Sequence, residues 1–203
     1  MNITSDREAV HRCEIKHPFF PSRKVPFSPP NLMCRFAQAV SMPSAEDFRR
    51  IFTYNEKVLR SFFDALNRLP WEKVSKNMEA SHQSMKNIFV HILSVYNGWI
   101  NYNAQGKSGE IPWELHDYEN YHSMSQVQEF MSKVLGGVNG FMKELNDADL
   151  SKKITAPWME GEHELSDVLM QVTLEQAHHL GEIIALLWQL NIEPPEMTWI
   201  DNT

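Results

Sequence analysis

The stretch SDVLMQVTLEQAHHLGEIIALLWQL, residues 166–190, decides the fold. Its apolar residues Val168, Val172, Leu186 and Leu190 repeat at helical spacing, and Asn191 followed by Pro194-Pro195 stops the run. Glu175 and His179, four residues apart, lie on that same apolar stripe. An ionised carboxylate in an apolar interior is costly and persists there only when it is paired, protonated or bound to a metal. The stretch therefore predicts both a core helix and a polar site buried on it.

Three more segments carry the same period. Phe48, Phe52, Asn55, Leu59, Phe62, Leu66 and Leu69 predict a helix near 45–68, with Ser44 as its cap and Pro70 closing it. Ile88, His91, Val95 and Tyr102, with Ile92 and Trp99 beside them, predict a second helix near 84–104 that ends at Gln105-Gly106. Val127, Met131, Val134, Val138, Phe141 and Leu145 predict a third near 123–146. Gly136, Gly137 and Gly140 weaken that third helix, each by about 1 kcal/mol relative to alanine, and are read as permitting close helix packing. No segment alternates as a strand. Four such helices make an all-α four-helix bundle the economical fold, and connections of about 15 to 20 residues are long enough to run its height.

Composition bounds the function. The chain has 203 residues, 42% of them hydrophobic, and a formal net charge of −7. It carries no basic stripe interleaved with aromatics, so nucleic acid is not an expected partner. It also lacks a run of roughly 20 apolar residues or a secretory signal, so the expectation is a cytoplasmic protein with no membrane partner. Residues 1–42 hold six Lys or Arg, three acids and five prolines, and read as an extended or disordered leader ahead of a bundle domain at 43–203. Met42 would serve as an initiator, and the leader is expected to be either a start set too far upstream or an arm packing on a neighbour. Cys13 and Cys34 both fall in it, as two free thiols in a reducing compartment or else bridged to each other, leaving the bundle without thiolate ligands or a cysteine nucleophile.

A Glu and a His at i and i+4 project from one helix face about 6 Å apart, close enough to share one ion. The third ligand must come from another helix. His91 is the candidate, because His82, His116, His122 and His163 fall in connections and His11 and His17 in the leader. His178 also neighbours Glu175, but His179 continues the apolar stripe. Two imidazoles and a carboxylate suit Zn, Ni or Fe(II), and three protein ligands leave a position open for water or substrate. Asn55, polar on an apolar stripe, either faces the same cavity or makes a hydrogen bond across the core. The aromatics and Met of the connections, Trp113, Tyr118, Tyr121, Trp158 and Met159, either line a substrate pocket over the site or cap a bundle end.

Ile-Phe-Val-His91-Ile-Leu followed by Trp99, and His178-His179-Leu-Gly181-Glu182-Ile continuing to Pro194-Pro195, resemble the DinB-like family of four-helix metal-binding proteins. The resemblance covers about 45–200, includes Tyr54-Asn55, and has no counterpart for the leader. It implies a bundle with a long crossover between its second and third helices, often dimeric, holding a divalent metal. His91 matches the family's first ligand and His179 its last. Glu175 stands where members commonly carry histidine, so a carboxylate replaces an imidazole or the site has lost affinity. Gly181 matches a family glycine, and Glu182, where glutamine is common, is placed to orient a ligand histidine.

Relatives include transferases and isomerases that use low-molecular-weight thiols. The resemblance therefore implies a small-molecule substrate, a thiol cosubstrate and Lewis-acid activation of that thiol or of water, as in a thiol transferase or a hydrolase. A metal-free bundle serving as an interaction or structural protein, with Glu175 and His179 as a buried polar pair, is the competing reading. A non-haem iron oxygenase would also use two histidines and a carboxylate, but a helical bundle argues against it.

Overall fold

Ser44 starts the first long helix with a reciprocal cap: its hydroxyl accepts from the Asp47 amide and the Asp47 carboxylate accepts from the Ser44 amide. The computed structural model describes residues 43–200, and the expectations for residues 1–42, including Cys13 and Cys34, lie outside them. The helix so capped, α1, spans Ala45–Asn67, and a single turn, α2, follows at Trp71–Val74. Ser84 caps α3, Met85–Tyr96, by accepting from the Asn87 amide. Ser123 does the same for α4, Met124–Glu144, and α5 runs over Leu165–Gln189. Asn191, in the left-handed region with φ 55°, turns the chain out of α5 before Pro194-Pro195.

The four long helices form an all-α bundle in which α1 packs on α4 and α5, and α3 packs on the same two. Helices consecutive in sequence, α1 and α3, therefore lie diagonally. Phe52 against Tyr96, and Phe63 against Phe89, join them across the bundle centre. Most stripe residues of the four helices are buried, with Leu69, Val95, Tyr102, Phe141 and Leu190 partly so, and a fully buried Leu or Phe contributes about 1.5–3 kcal/mol. One polar relay crosses this core. Tyr96 donates to Gln176 Oε1 at 2.6 Å, Gln176 donates to the Asn55 carbonyl, and Asn55 donates to Thr173 Oγ1. Asn55 thus ties α1 to α5 by a hydrogen bond across the core. Among the described residues, no helix is long and apolar enough to cross a membrane.

Two departures from the sequence expectation bear on the site. The second helix does not stay α-helical to its end: Asn97–Tyr102 is a π-helical turn, followed by a tighter turn that Gly106 closes with φ 71°. The wider turn rotates everything after Tyr96, and a 3.6-residue template cannot register it. The connection before α5 contains an antiparallel hairpin, β1 at Lys153–Ala156 and β2 at Met159–Glu164, where no strand was expected. Only Ile154 and Ala156 are buried, and β2 is largely exposed and polar, so apolar alternation is too short to mark it. Such a hairpin is stable only when packed, and it packs on α5.

The glycines of α4 do not act alike. A Cβ at Gly137 would stand 2.5 Å from Asn101 Oδ1, whereas nothing lies within 4 Å of one at Gly136 or Gly140. Close packing therefore accounts for Gly137 alone. Chemical denaturation of Gly140→Ala should show a gain of about 0.5–1 kcal/mol, and of Gly137→Ala a loss of about 1–3 kcal/mol. Equal effects of the two would contradict this assignment.

Candidate metal centre

The residues before α3 fold back sharply. Glu79 and Gln83 both adopt positive φ, 58° and 71°, and Gln83 donates to the Ala80 carbonyl while Met78 donates to the Gln83 carbonyl. Positive φ costs non-glycine residues roughly 1–3 kcal/mol and tends to mark functional turns. Here the turn lays His82 over α3, its ring stacked on His91 at 4.0 Å and 20°. His179 of α5 meets both rings edge to face, at 4.6 Å from His91 and 5.2 Å from His82. One ring nitrogen from each of His82, His91 and His179 lies within 4.8 Å of the others.

Glu175 borders the cluster from α5. Its Oε2 is 3.3 Å from His179 Nε2 and 4.0 Å from His91 Nε2, and Gln171 donates to its other oxygen at 2.8 Å. The structure therefore brings His91, Glu175 and His179 together and adds His82 to them. His178 is exposed; with His179 and Glu182 it forms a second close group, on the outer side of the helix. His116 lies outside the close group but lines one cavity with His91, its Nε2 3.2 Å from Asn97 Nδ2, and His163 sits on β2 near Trp99.

Proton positions follow from the partners. His179 Nδ1 is 2.7 Å from Glu182 Oε2, which also accepts from Ser81 Oγ at 2.8 Å. Burial pushes the Glu182 carboxyl up, but the hydrogen bonds from His179 and Ser81 outweigh it and hold the group below the ordinary range. Glu182 is thus an ionised acceptor beside His179 Nδ1. With the ring's proton on that nitrogen, the Nε2 lone pair faces the Glu175 carboxylate at 3.3 Å.

Burial, with His82 and His179 adding to it, pushes His91 down to about 4. Burial and His179 also lower His82, against Glu182 and Glu175. Both rings are neutral at neutral pH and carry free lone pairs. The charges acting on them are those of other imidazoles and of carboxylates.

This donor set fits a divalent cation. Ligand atoms of a four-coordinate ion bonded at about 2.0–2.1 Å lie roughly 3.3 Å apart; the Glu175–His179 pair stands at 3.3 Å, the Glu175–His91 pair at 4.0 Å and the three imidazole nitrogens within 4.8 Å, so small side-chain shifts would close the set on an ion. Neutral imidazoles and a carboxylate are ligands for Zn, Ni or Fe(II), and a positive ion between two facing acceptors replaces repulsion by attraction. His82 was not expected here, because it follows no helical period. The signal available in sequence was its position two residues ahead of Ser84, the cap of α3.

A model of the DinB family matches residues 33–203. The chain belongs to the DinB family. A crystal structure of a DinB-like protein from Bacillus cereus ATCC 10987 is similar to it, with a TM-score of 0.62 and 19% identity over 77% of this chain and 99% of that one. At that identity the likeness concerns the fold. No curated protein matches the chain. In this DinB-family member, Glu175 stands one helical turn before His179, and a third imidazole comes from the turn ahead of α3.

Long-range proton–nitrogen spectra of the metal-free protein at neutral pH should show His179 protonated at Nδ1 and unprotonated at Nε2, a state lost in Glu182→Ala. A doubly protonated His179 ring would instead make its contact with Glu175 a simple ion pair.

Proposed function

We propose that this chain is a metal-dependent enzyme that activates a thiol or a water for attack on a small electrophile. The observation that carries the reading is the convergence of three imidazoles, His82, His91 and His179, with ring nitrogens within 4.8 Å of one another and Glu175 Oε2 bordering them 3.3 Å from His179 Nε2. A bundle that needed only a polar contact would be served by one hydrogen bond. Clustered imidazoles beside a carboxylate are the ligand types that hold a divalent cation.

His91, His179 and Glu175 hold the ion in this reading, with His82 as the additional imidazole, and Zn, Ni or Fe(II) are the metals its ligands suit. The ion supplies Lewis acidity, lowering the pKa of a thiol or water placed against it. The protein supplies the rest. Glu182 fixes the tautomer of His179 so that Nε2 points inward, and Ser81 holds Glu182 in place. Gln171 occupies one oxygen of Glu175 and leaves the other toward the cluster. Glu175 serves as a ligand and not as a general base in this reading, and a low-molecular-weight thiol is its cosubstrate.

His91 also opens onto a cavity of about 230 Å³ walled by Trp99, Trp113 and Trp158, which provides room for an electrophile next to the nucleophile. Trp113 and Trp158 thus line a cavity at the site. Tyr121 is buried, donating to the Leu115 carbonyl, and Met159 is exposed.

Protein purified without an affinity tag should contain close to one equivalent of Zn, Ni or Fe by elemental analysis, and the His91→Ala and Glu175→Ala variants should lose it. Chelation should lower the melting temperature of the parent, since an ion present at a hundred times its Kd stabilises by about 2.7 kcal/mol. Metal-free protein whose stability is indifferent to added divalent ions would leave the interaction-protein reading standing instead.

A further inference from the structure

The cavity beside His91 has walls of an unusual kind. Its three indoles come from three separate elements: Trp99 from the π-helical turn, Trp113 from a turn in the α3–α4 connection, and Trp158 from the tip of the hairpin. Trp158 stands nearly perpendicular to both others, at 80° and 5.1 Å from Trp99 and at 88° and 5.7 Å from Trp113. Ring planes at right angles make a corner and not a slot. A rounded group fits a corner, whereas a flat ring needs parallel walls. Gly98 helps to build it, since a Cβ there would stand 2.9 Å from the Trp158 ring.

The remaining lining offers little hydrogen bonding. Ser94 donates its hydroxyl to the Val90 carbonyl, and His116 has its Nε2 against Asn97. Val95 is aliphatic. No lysine or arginine lines the cavity, and the chain as a whole has a formal net charge of −7. A guest seated against the three indoles is therefore rounded and favoured by their negative π faces. The indole face is the best of the aromatic surfaces for a cation, and quaternary ammonium groups are recognised by such cages.

The geometry points to a cage for a quaternary methylammonium group, formed by Trp99, Trp113 and Trp158, which places the cationic end of a substrate beside His91. That the caged molecule is the substrate rests on the metal-dependent reading above. Binding in the cage itself does not.

The test uses choline and its uncharged isostere 3,3-dimethylbutan-1-ol, titrated into the full metal-free chain and followed on its six indole N–H resonances. Choline should shift those of Trp99, Trp113 and Trp158 and leave Trp71, Trp188 and Trp199 in place. It should bind about tenfold or more tightly than the isostere, the ratio expected when several π faces act on a desolvated cation. Trp158→Leu should weaken choline about tenfold while Trp158→Phe retains most of the affinity, with melting temperatures reported for both to separate binding from folding. Equal affinity for choline and the isostere, or shifts at Trp188 and Trp199 instead, would overturn the cage. Choline binding in a protein that holds no metal would leave the cage intact and remove the metal centre; metal binding without preference for choline would do the reverse.

Discussion

His179 stands between two carboxylates, Glu182 at 2.7 Å from Nδ1 and Glu175 at 3.3 Å from Nε2, and a proton held on the Glu182 side leaves the Nε2 lone pair facing Glu175. Two acceptors at that distance repel unless something positive lies between them. The site is thereby short of one positive charge, and both His91 and His82 are kept from supplying it as protons because burial lowers their pKa values. The cluster of His82, His91 and His179 could hold a divalent cation that supplies it. The rest of the bundle serves to hold this arrangement against its own repulsion.

Rigidity comes from two sources. The apolar stripes of α1, α3, α4 and α5 fix the helices laterally, and the Tyr96–Gln176–Asn55 relay fixes their register, because each member is buried and has its partner at one height only. Gln176 directly follows Glu175 on α5, so the relay that sets the register of α5 against α3 also sets the height of the carboxylate relative to His91. Less regular elements complete the site. The strained turn at 79–83 delivers His82 and Ser81, while the π-helical turn, the α3–α4 connection and the hairpin deliver the indoles. The bundle thus supplies position, and its connections supply chemistry.

Legibility in the sequence divides along the same line. The helices at 45–67, 124–144 and 165–189 sit within a residue or two of the spacing-based expectation where periodicity, caps and stops agree, as at Ser44 and Asn191, whereas the helix expected to run to 104 is α-helical only over 85–96 before the π-helical turn. The approach of His91, Glu175 and His179 was also readable from their helical stripes, but the expected apolar interior around the carboxylate is not found: His91 and Glu175 are 28% and 31% exposed, and only His179 is buried. His82 was not, because a tight turn obeys no period and its inward direction comes from two positive-φ residues that carry no glycine signal. The hairpin was missed for a similar reason, its outer strand being polar and exposed. Residue identity announced the three glycines of α4 as alike; only three-dimensional contact with Asn101 distinguishes Gly137 from the other two.

X-ray absorption at the metal edge of the full chain loaded with one equivalent of Zn tests the central claim most directly. The account predicts a nitrogen and oxygen shell with the outer scattering of three imidazoles, reduced by one ring in His82→Ala and again in His91→Ala. A shell without imidazole scattering, or one that neither substitution changes, would contradict it.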